Sequence, residues 1–289
     1  MCVWNPSRKS GLFVGLAPGV ARGSVWGSPF PDAEPFGGFA AGWVEVVAGD
    51  FTSPASLEAA LVGVRTVFLL WTAPIDTAAA VISRLASSPR RVVFLSAPYK
   101  TPHPFFQQPN PMARMHAEIE RLLIASRVEW AFIRPGMFGS NAAFWWGPAL
   151  RAGSDVVRWP YGGAETAPID ERDVAAVVAR VLSSSDSHAG GDYVLTGPSS
   201  LTQAEQVGVI GSVLGRPLRF EELSTDEFRR STAGVWPPFV VDMLLSAWGA
   251  MIGHPGYVTS TVADITGVPA RTFWEWVADH ADQFQAPLE

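Results

Sequence analysis

Three short, nearly continuous apolar runs constrain this chain more than any other feature: Val64 to Trp71 (VRTVFLLW), Arg91 to Ser96 (RVVFLS) and Trp130 to Ile133 (WAFI). Strands that read this way are covered on both faces, whereas a half-wet strand alternates apolar and polar residues. Between them lie stretches with helical spacing. Pro54 to Val62 has Ser53 or Ser56 as a cap, and Asp76 to Ala86 follows the first run. From Met112, Ile119 with Leu122, Leu123 and Ile124 makes an apolar stripe, while Glu118, Glu120 and Arg121 take the wet side. Val44, Val46 and Val47 predict one more strand, ending at Gly49-Asp50. Strands alternating with helices predict an α/β doubly wound parallel sheet with helices on both faces. Pro135 and Gly136 break the last strand at its carboxyl end, where ligands sit in such sheets.

After Asn141 the pattern changes. Phe144-Trp145-Trp146 shares a helix with Ala142 and Leu150, and Val156 to Trp159 reads as an edge strand. Asp173 to Leu182 is a helix opened by Asp170, and Tyr193 to Leu195 is a strand stopped by Gly197-Pro198. Leu201 to Leu214 is a helix whose Thr202 and Glu205 make a capping box. Pro217 to Leu223 is a strand, and helices follow near Asp226–Ser231, Phe239–Met251 and Arg271–Phe284. The expected organisation is a nucleotide-type sheet domain over 1–140 and a smaller, mostly helical substrate lobe over 141–289, whose strands partly rejoin the sheet. Residues 1–42 are the least regular part, dense in glycine and proline, with Leu12-Phe-Val14 as the one strand-like run.

Composition narrows the function classes. A chain of 289 residues, 48% hydrophobic and 17% charged, can bury a sizeable core. Its net charge of -6 argues against a nucleic-acid partner. Cys2 is the single cysteine, so no disulfide framework or cysteine metal site is expected, which suits a reducing cytoplasm. No apolar run reaches the roughly 18 residues of a membrane span. Asp170, Glu171, Arg172 and Asp173 read as helix-opening chemistry and not as a metal site, and His188, His254 and His280 lack metal spacing. There is no Gly-x-Ser-x-Gly elbow for a hydrolase nucleophile.

Gly49-Asp50 after one strand, Trp71-Thr72 after the next and Leu95-Ser96 after the third precede HAEIERLL, IRPGMFGSN and APIDERDVAAV, in that order. Together, over about residues 43–284, they resemble the NmrA-like group of atypical short-chain dehydrogenases/reductases, Rossmann-like proteins that include NAD(P)H-dependent quinone and azo reductases and non-catalytic redox sensors. The resemblance implies NADP or NAD along the carboxyl edge of the sheet. Asp50 and Phe51 would flank the adenine, Trp71 and Thr72 the central riboses and phosphates, and Ser96 and Ala97 the nicotinamide ribose. Pro135 and Gly136 would complete the nicotinamide side, with Met137, Phe138 and Asn141 toward the substrate. The phosphate turn is best placed at Gly15, with Pro18 and Ala21 where two further glycines would stand. Proline there also removes an amide that could bind phosphate. No second strand is recognisable in Trp26 to Gly42.

The Y-x-x-x-K pair of the wider superfamily falls on Met112 and His116. Tyrosine-assisted ketone reduction is therefore not expected, whereas a quinone needs no such tyrosine. His116 is the candidate general acid or ribose-binding residue, with Glu120 four residues on to orient it; alternatively it is a helix histidine bonded to a backbone carbonyl. Tyr99 and His103 are secondary proton-donor candidates. The aromatic residues Phe105, Phe106, Trp145 and Trp146, with Trp71, Phe144, Trp159 and Trp236, offer flat walls for a small aromatic substrate. Three functions stay open: an NAD(P)H-dependent oxidoreductase acting on a quinone or aromatic polyketide-like compound, a pseudo-reductase catalysing a non-redox step such as cyclisation, and a redox-sensing regulator. Pro18, Ala21 and the missing strand weigh toward the last two. Monomer and homodimer are equally compatible.

Overall fold

Apolar continuity translates directly into strands buried on both sides. The structure is a computed structural model that describes residues 12–17, 20–25, 44–46, 49–87, 91–184 and 188–286. Its first strands are β1 (Leu12–Ala17), β2 (Val20–Val25) and β3 (Val44–Val46). A short helix α1 (Glu58–Leu61) leads to β4 (Thr66–Leu70), α2 (Ala78–Ser87) and β5 (Arg91–Leu95). Helix α3 (Pro111–Ala125) and strand β6 (Glu129–Pro135) come next. The second half contributes α4 (Ser140–Arg151), β7 (Val156–Trp159), β8 (Glu165–Thr166), α5 (Glu171–Ser183) and β9 (Gly191–Leu195). It ends with β10 (Leu201–Thr202), α6 (Gln203–Leu214), β11 (Arg219–Glu222), α7 (Thr225–Thr232), α8 (Pro238–Gly249), α9 (Thr261–Thr266) and α10 (Phe273–Asp279).

Among the described residues the main sheet runs β3-β2-β1-β4-β5-β6-β9, with β4, β5, β6 and β9 parallel. Period-two geometry sends Val92, Phe94 and Phe132 to one face, against α2 and α3, and Val93, Ala131 and Ile133 to the other, against α5. Each such side chain other than Ala131, at 0–1% exposure, contributes roughly 1.5–3 kcal/mol. Helix α3 starts where Asn110 accepts a hydrogen bond from the Met112 amide at 2.9 Å, with Pro111 in the first turn. It buries His116, Ile119, Glu120 and Leu123, one stripe at helical spacing.

Strand β1 departs from expectation. It runs antiparallel to both β2 and β4, and Gly15 pairs with Arg22 and Val67 in mid-strand. Only two residues separate β1 from β2, too few for the crossover that parallel neighbours need. Gly15 is thus not in a strand-to-helix turn, and Ala21 lies in β2 opposite Leu16. The second strand lies before Trp26, at Val20–Val25. Cys2, Lys9, Pro18, Val47 and the interval Trp26 to Gly42 lie outside the described residues.

Smaller differences have local causes. Ser53 does not cap the Pro54 turn, and the Ser56 hydroxyl is spent on the Asp50 amide at 2.7 Å and the Ser53 carbonyl at 2.7 Å. Thr202 does form its capping box, but Leu201 and Thr202 pair with β8 before α6 begins. Asp170 caps α5 by accepting from the Arg172 amide at 2.7 Å, and Asp173 pairs with Arg271. Strand β7 pairs with β11 in a separate parallel ribbon.

Helices α4, α6, α7, α8 and α10 enclose an aromatic cluster. Trp145 stacks on Trp159 with ring centroids 6.0 Å apart, and Trp159 meets Phe228 at 4.8 Å and Trp248 at 5.6 Å. Trp146 is 1% exposed in the same cluster. No described helix is long and apolar enough to cross a membrane.

Candidate active site

Three strands end at one edge of the sheet and deliver Trp71-Thr72, Ser96-Ala97 and Pro135-Gly136 there. The Gly136 amide donates to the Leu195 carbonyl at 2.8 Å, which ties the break in β6 to β9. Phe51 and Trp71 stack at 5.0 Å and are each 4% exposed, so their rings belong to the core beneath the edge and form no open adenine or ribose wall. The Asp50 carboxylate is taken by the Thr52 amide at 2.7 Å and hydroxyl at 2.5 Å. The Thr72 hydroxyl is buried without a hydrogen-bond partner among the described residues.

Behind the edge lies a buried polar network centred on Glu120, which is 1% exposed like Arg134. Arg134 reaches Glu120 at 2.7 and 2.9 Å, the Ala97 carbonyl at 2.7 Å and Asp192 at 3.1 Å. Ser96 donates to the same Glu120 carboxylate, Tyr99 donates at 2.6 Å and Lys100 at 3.2 Å. Burial pushes the Glu120 carboxyl up, but the hydrogen bonds from Arg134, Ser96 and Tyr99 outweigh it and hold it below the usual carboxylate range. Burial and the bond to Glu120 push the Tyr99 phenol well above its ordinary value. Tyr99 therefore stays protonated, and its hydroxyl donates a hydrogen bond to Glu120.

His116 takes the alternative role foreseen for it. Its Nδ1 lies 2.7 Å from the Met112 carbonyl, which can only accept, so Nδ1 carries the hydrogen. The ring packs 5.6 Å from Phe94, and burial pulls its pKa below the ordinary histidine value despite the Met112 bond. Glu120 does not orient it, because its oxygens are held by Ser96, Tyr99, Lys100 and Arg134.

A small cavity of about 60 Å³ opens against this edge, between the loop after β5 and helix α8. Tyr99, Phe105, Phe106, Met137, Met243 and Leu244 are among its walls. A second chamber shares Phe105, Phe106 and Met137 with the first and adds Gly136, Glu165 and Thr196. The two phenylalanines sit edge to face at 4.9 Å on a turn capped by His103. The His103 Nε2 meets the Pro255 carbonyl at 2.9 Å, while its Nδ1 accepts from the Phe105 amide at 3.3 Å, so the ring straps the loop across the chamber.

Of the predicted substrate residues, Met137 lines the cavity and four others do not. Phe138 bridges to Ile169 and packs against the core cluster that includes Ile169 and Val174, on the α5 side of the sheet. Asn141 is buried at the start of α4, and Trp145 and Trp146 both pack into the aromatic cluster. Met243, Leu244 and Ala247 of α8 were not predicted; an apolar helix carries no local mark of which neighbour it meets. Among the described residues no cluster of histidine, cysteine, aspartate and glutamate could hold a metal ion.

Comparison with known proteins places this geometry. The NAD(P)H-binding family profile matches residues 32–185. The chain is 38% identical over 247 residues, 83% of its length and 84% of the other's, to a (4-alkanoyl-5-oxo-2,5-dihydrofuran-3-yl)methyl phosphate reductase of Streptomyces griseus. It is 29% identical over 251 residues, covering 84% and 85%, to an NAD(P)H azoreductase of Xenophilus azovorans. The Escherichia coli NADPH-dependent quinone oxidoreductase in complex with NADPH shares the fold, with a TM-score of 0.70 at 23% identity over 82% of this chain and 84% of that one.

The family's cofactor, NAD(P)H, fits the edge in part. The unpartnered Thr72 hydroxyl and the broken end of β6 at Pro135-Gly136 suit a ligand lying across the strand ends. No described residue supplies the strand-to-helix turn that would cradle a pyrophosphate, since β1 returns as a hairpin. The family profile, the extent of the match to reductases and the shared sheet together assign the chain to the NAD(P)H-binding, NmrA-like group of atypical short-chain dehydrogenases/reductases.

Proposed function

We propose that this protein is an NAD(P)H-dependent reductase of electron-poor conjugated acceptors, with quinones and aromatic polyketide-like quinoid compounds as the leading substrates. The observation that carries this reading is an aromatic cavity at the sheet edge whose neighbouring proton donors are already committed. Tyr99 donates its hydroxyl hydrogen bond to Glu120, and His116 donates from Nδ1 to the Met112 carbonyl. A simple ketone needs an acid at its oxygen as hydride arrives, but a quinone becomes a stabilised hydroquinone anion that water can protonate. When bound, the nicotinamide supplies hydride. Phe106 and Met137 hold the acceptor ring against Gly136, and Phe105 with the strap at His103 limits entry of water. The relatives named for a furanone, an azo compound and a quinone all act on conjugated electrophiles, which supports the same class here.

Titration with NADPH and NADH, followed by nicotinamide fluorescence and by oxidation with 1,4-naphthoquinone, tests the reading. Binding and turnover are expected. No binding of either nucleotide would sink it, and binding without turnover of any quinone would favour the sensor.

A further inference from the structure

We propose that the cavity selects an uncharged substrate and rejects an anionic one; this deepens the reductase reading and rests on it. The Streptomyces griseus relative is named for a phosphate ester. Here no lysine or arginine is among the described residues lining either chamber. Lys100, next to Tyr99, turns its ammonium to Glu120 at 3.2 Å. His103 has both ring nitrogens engaged. The carboxyl group in the second chamber, Glu165, accepts from the Ser200 hydroxyl at 2.6 Å and adds negative charge.

The polar side chains of the first chamber are uncharged, and each is tied to the protein through one atom. The Gln108 amide nitrogen donates to the Pro104 carbonyl at 3.0 Å, the Asn110 oxygen caps α3, and the Tyr99 hydroxyl donates to Glu120. The remaining wall is carbon and sulfur from Phe105, Phe106, Met137, Met243 and Leu244. A phosphate or sulfonate entering there loses its water and meets no cation, a cost that an isolated buried charge cannot recover. A neutral conjugated ring loses little hydration and gains apolar contact.

The test is calorimetric binding of 1,4-naphthoquinone and 1,4-naphthoquinone-2-sulfonate, same ring with and without one negative charge, measured with no nicotinamide present. The sulfonate is expected to bind at least about tenfold more weakly. Met243→Arg, at a half-buried wall position of α8, should shift the ratio of sulfonate to neutral-quinone affinity by about tenfold toward the sulfonate. Gln108→Arg, on the opposite wall, gives the same readout if Met243→Arg unfolds. Equal or tighter binding of the sulfonate by the unaltered protein overturns the proposal, and so does failure of both quinones to bind. A tenfold preference for the neutral ring in a protein that binds no nicotinamide would instead overturn the reductase reading and leave the charge selection standing.

Discussion

At His116 a single proton decides between acid catalyst and structural residue. The Met112 carbonyl 2.7 Å from Nδ1 fixes one tautomer, and burial makes the charged ring costly. Because the folded state lowers the histidine pKa below its unfolded value near 6.5, the unfolded chain binds the proton more readily. The stability His116 confers is therefore complete above about pH 6.5 and is lost as pH falls below it. His116→Gln is expected to flatten this acid sensitivity, seen as a smaller change in urea midpoint between about pH 7.5 and pH 5 than in the unaltered protein. Naphthoquinone turnover should stay within about threefold. A hundredfold loss of turnover with unchanged stability would restore His116 as the proton donor.

Between elements, Glu120 matters most. It joins α3 to β6 through Arg134 and to the loop after β5 through Ser96, Tyr99 and Lys100. Glu120→Ala leaves Arg134, 1% exposed, with only the half-exposed Asp192 as carboxylate partner, so a loss of about 3 kcal/mol in denaturant unfolding is expected. The wall formed by Tyr99 is released at the same time, so KM for the quinone should rise more than kcat falls. Glu118→Ala is the control. Its pair with Arg121 on the same helix is exposed, and no measurable change is expected. Equal effects of the two variants would show that the buried network carries no special weight.

For the whole molecule, the cavity exists because helix α8, from the far half of the chain, closes over the loop after β5. A ligand between them binds only the assembled protein. 1,4-Naphthoquinone at about a hundred times its dissociation constant is therefore expected to stabilise the fold by about 2.7 kcal/mol in one cooperative transition, read by thermal unfolding. Two transitions, with only the second shifted, would show that the halves unfold separately.

Local chemistry sufficed for much of this protein. Apolar runs marked β4, β5 and β6 within a residue or two, stripes and caps marked α2, α3, α5 and α6, and motif order identified the family. It also pointed to Met137, just after the broken end of β6, and to the aromatic turn at Phe105-Phe106 in the loop after β5, both of which line the cavity. Tertiary structure alone decided the direction of β1, the burial of Trp145 and Trp146 away from the cavity, the packing of Phe138 on the α5 side of the sheet, and the capture of Glu120 by Arg134 instead of by His116. The reason is range. Periodicity and capping are set by residues within a few positions of one another, whereas Met137 and Leu244 line one cavity from more than a hundred residues apart, and nothing in either segment's own pattern encodes the other.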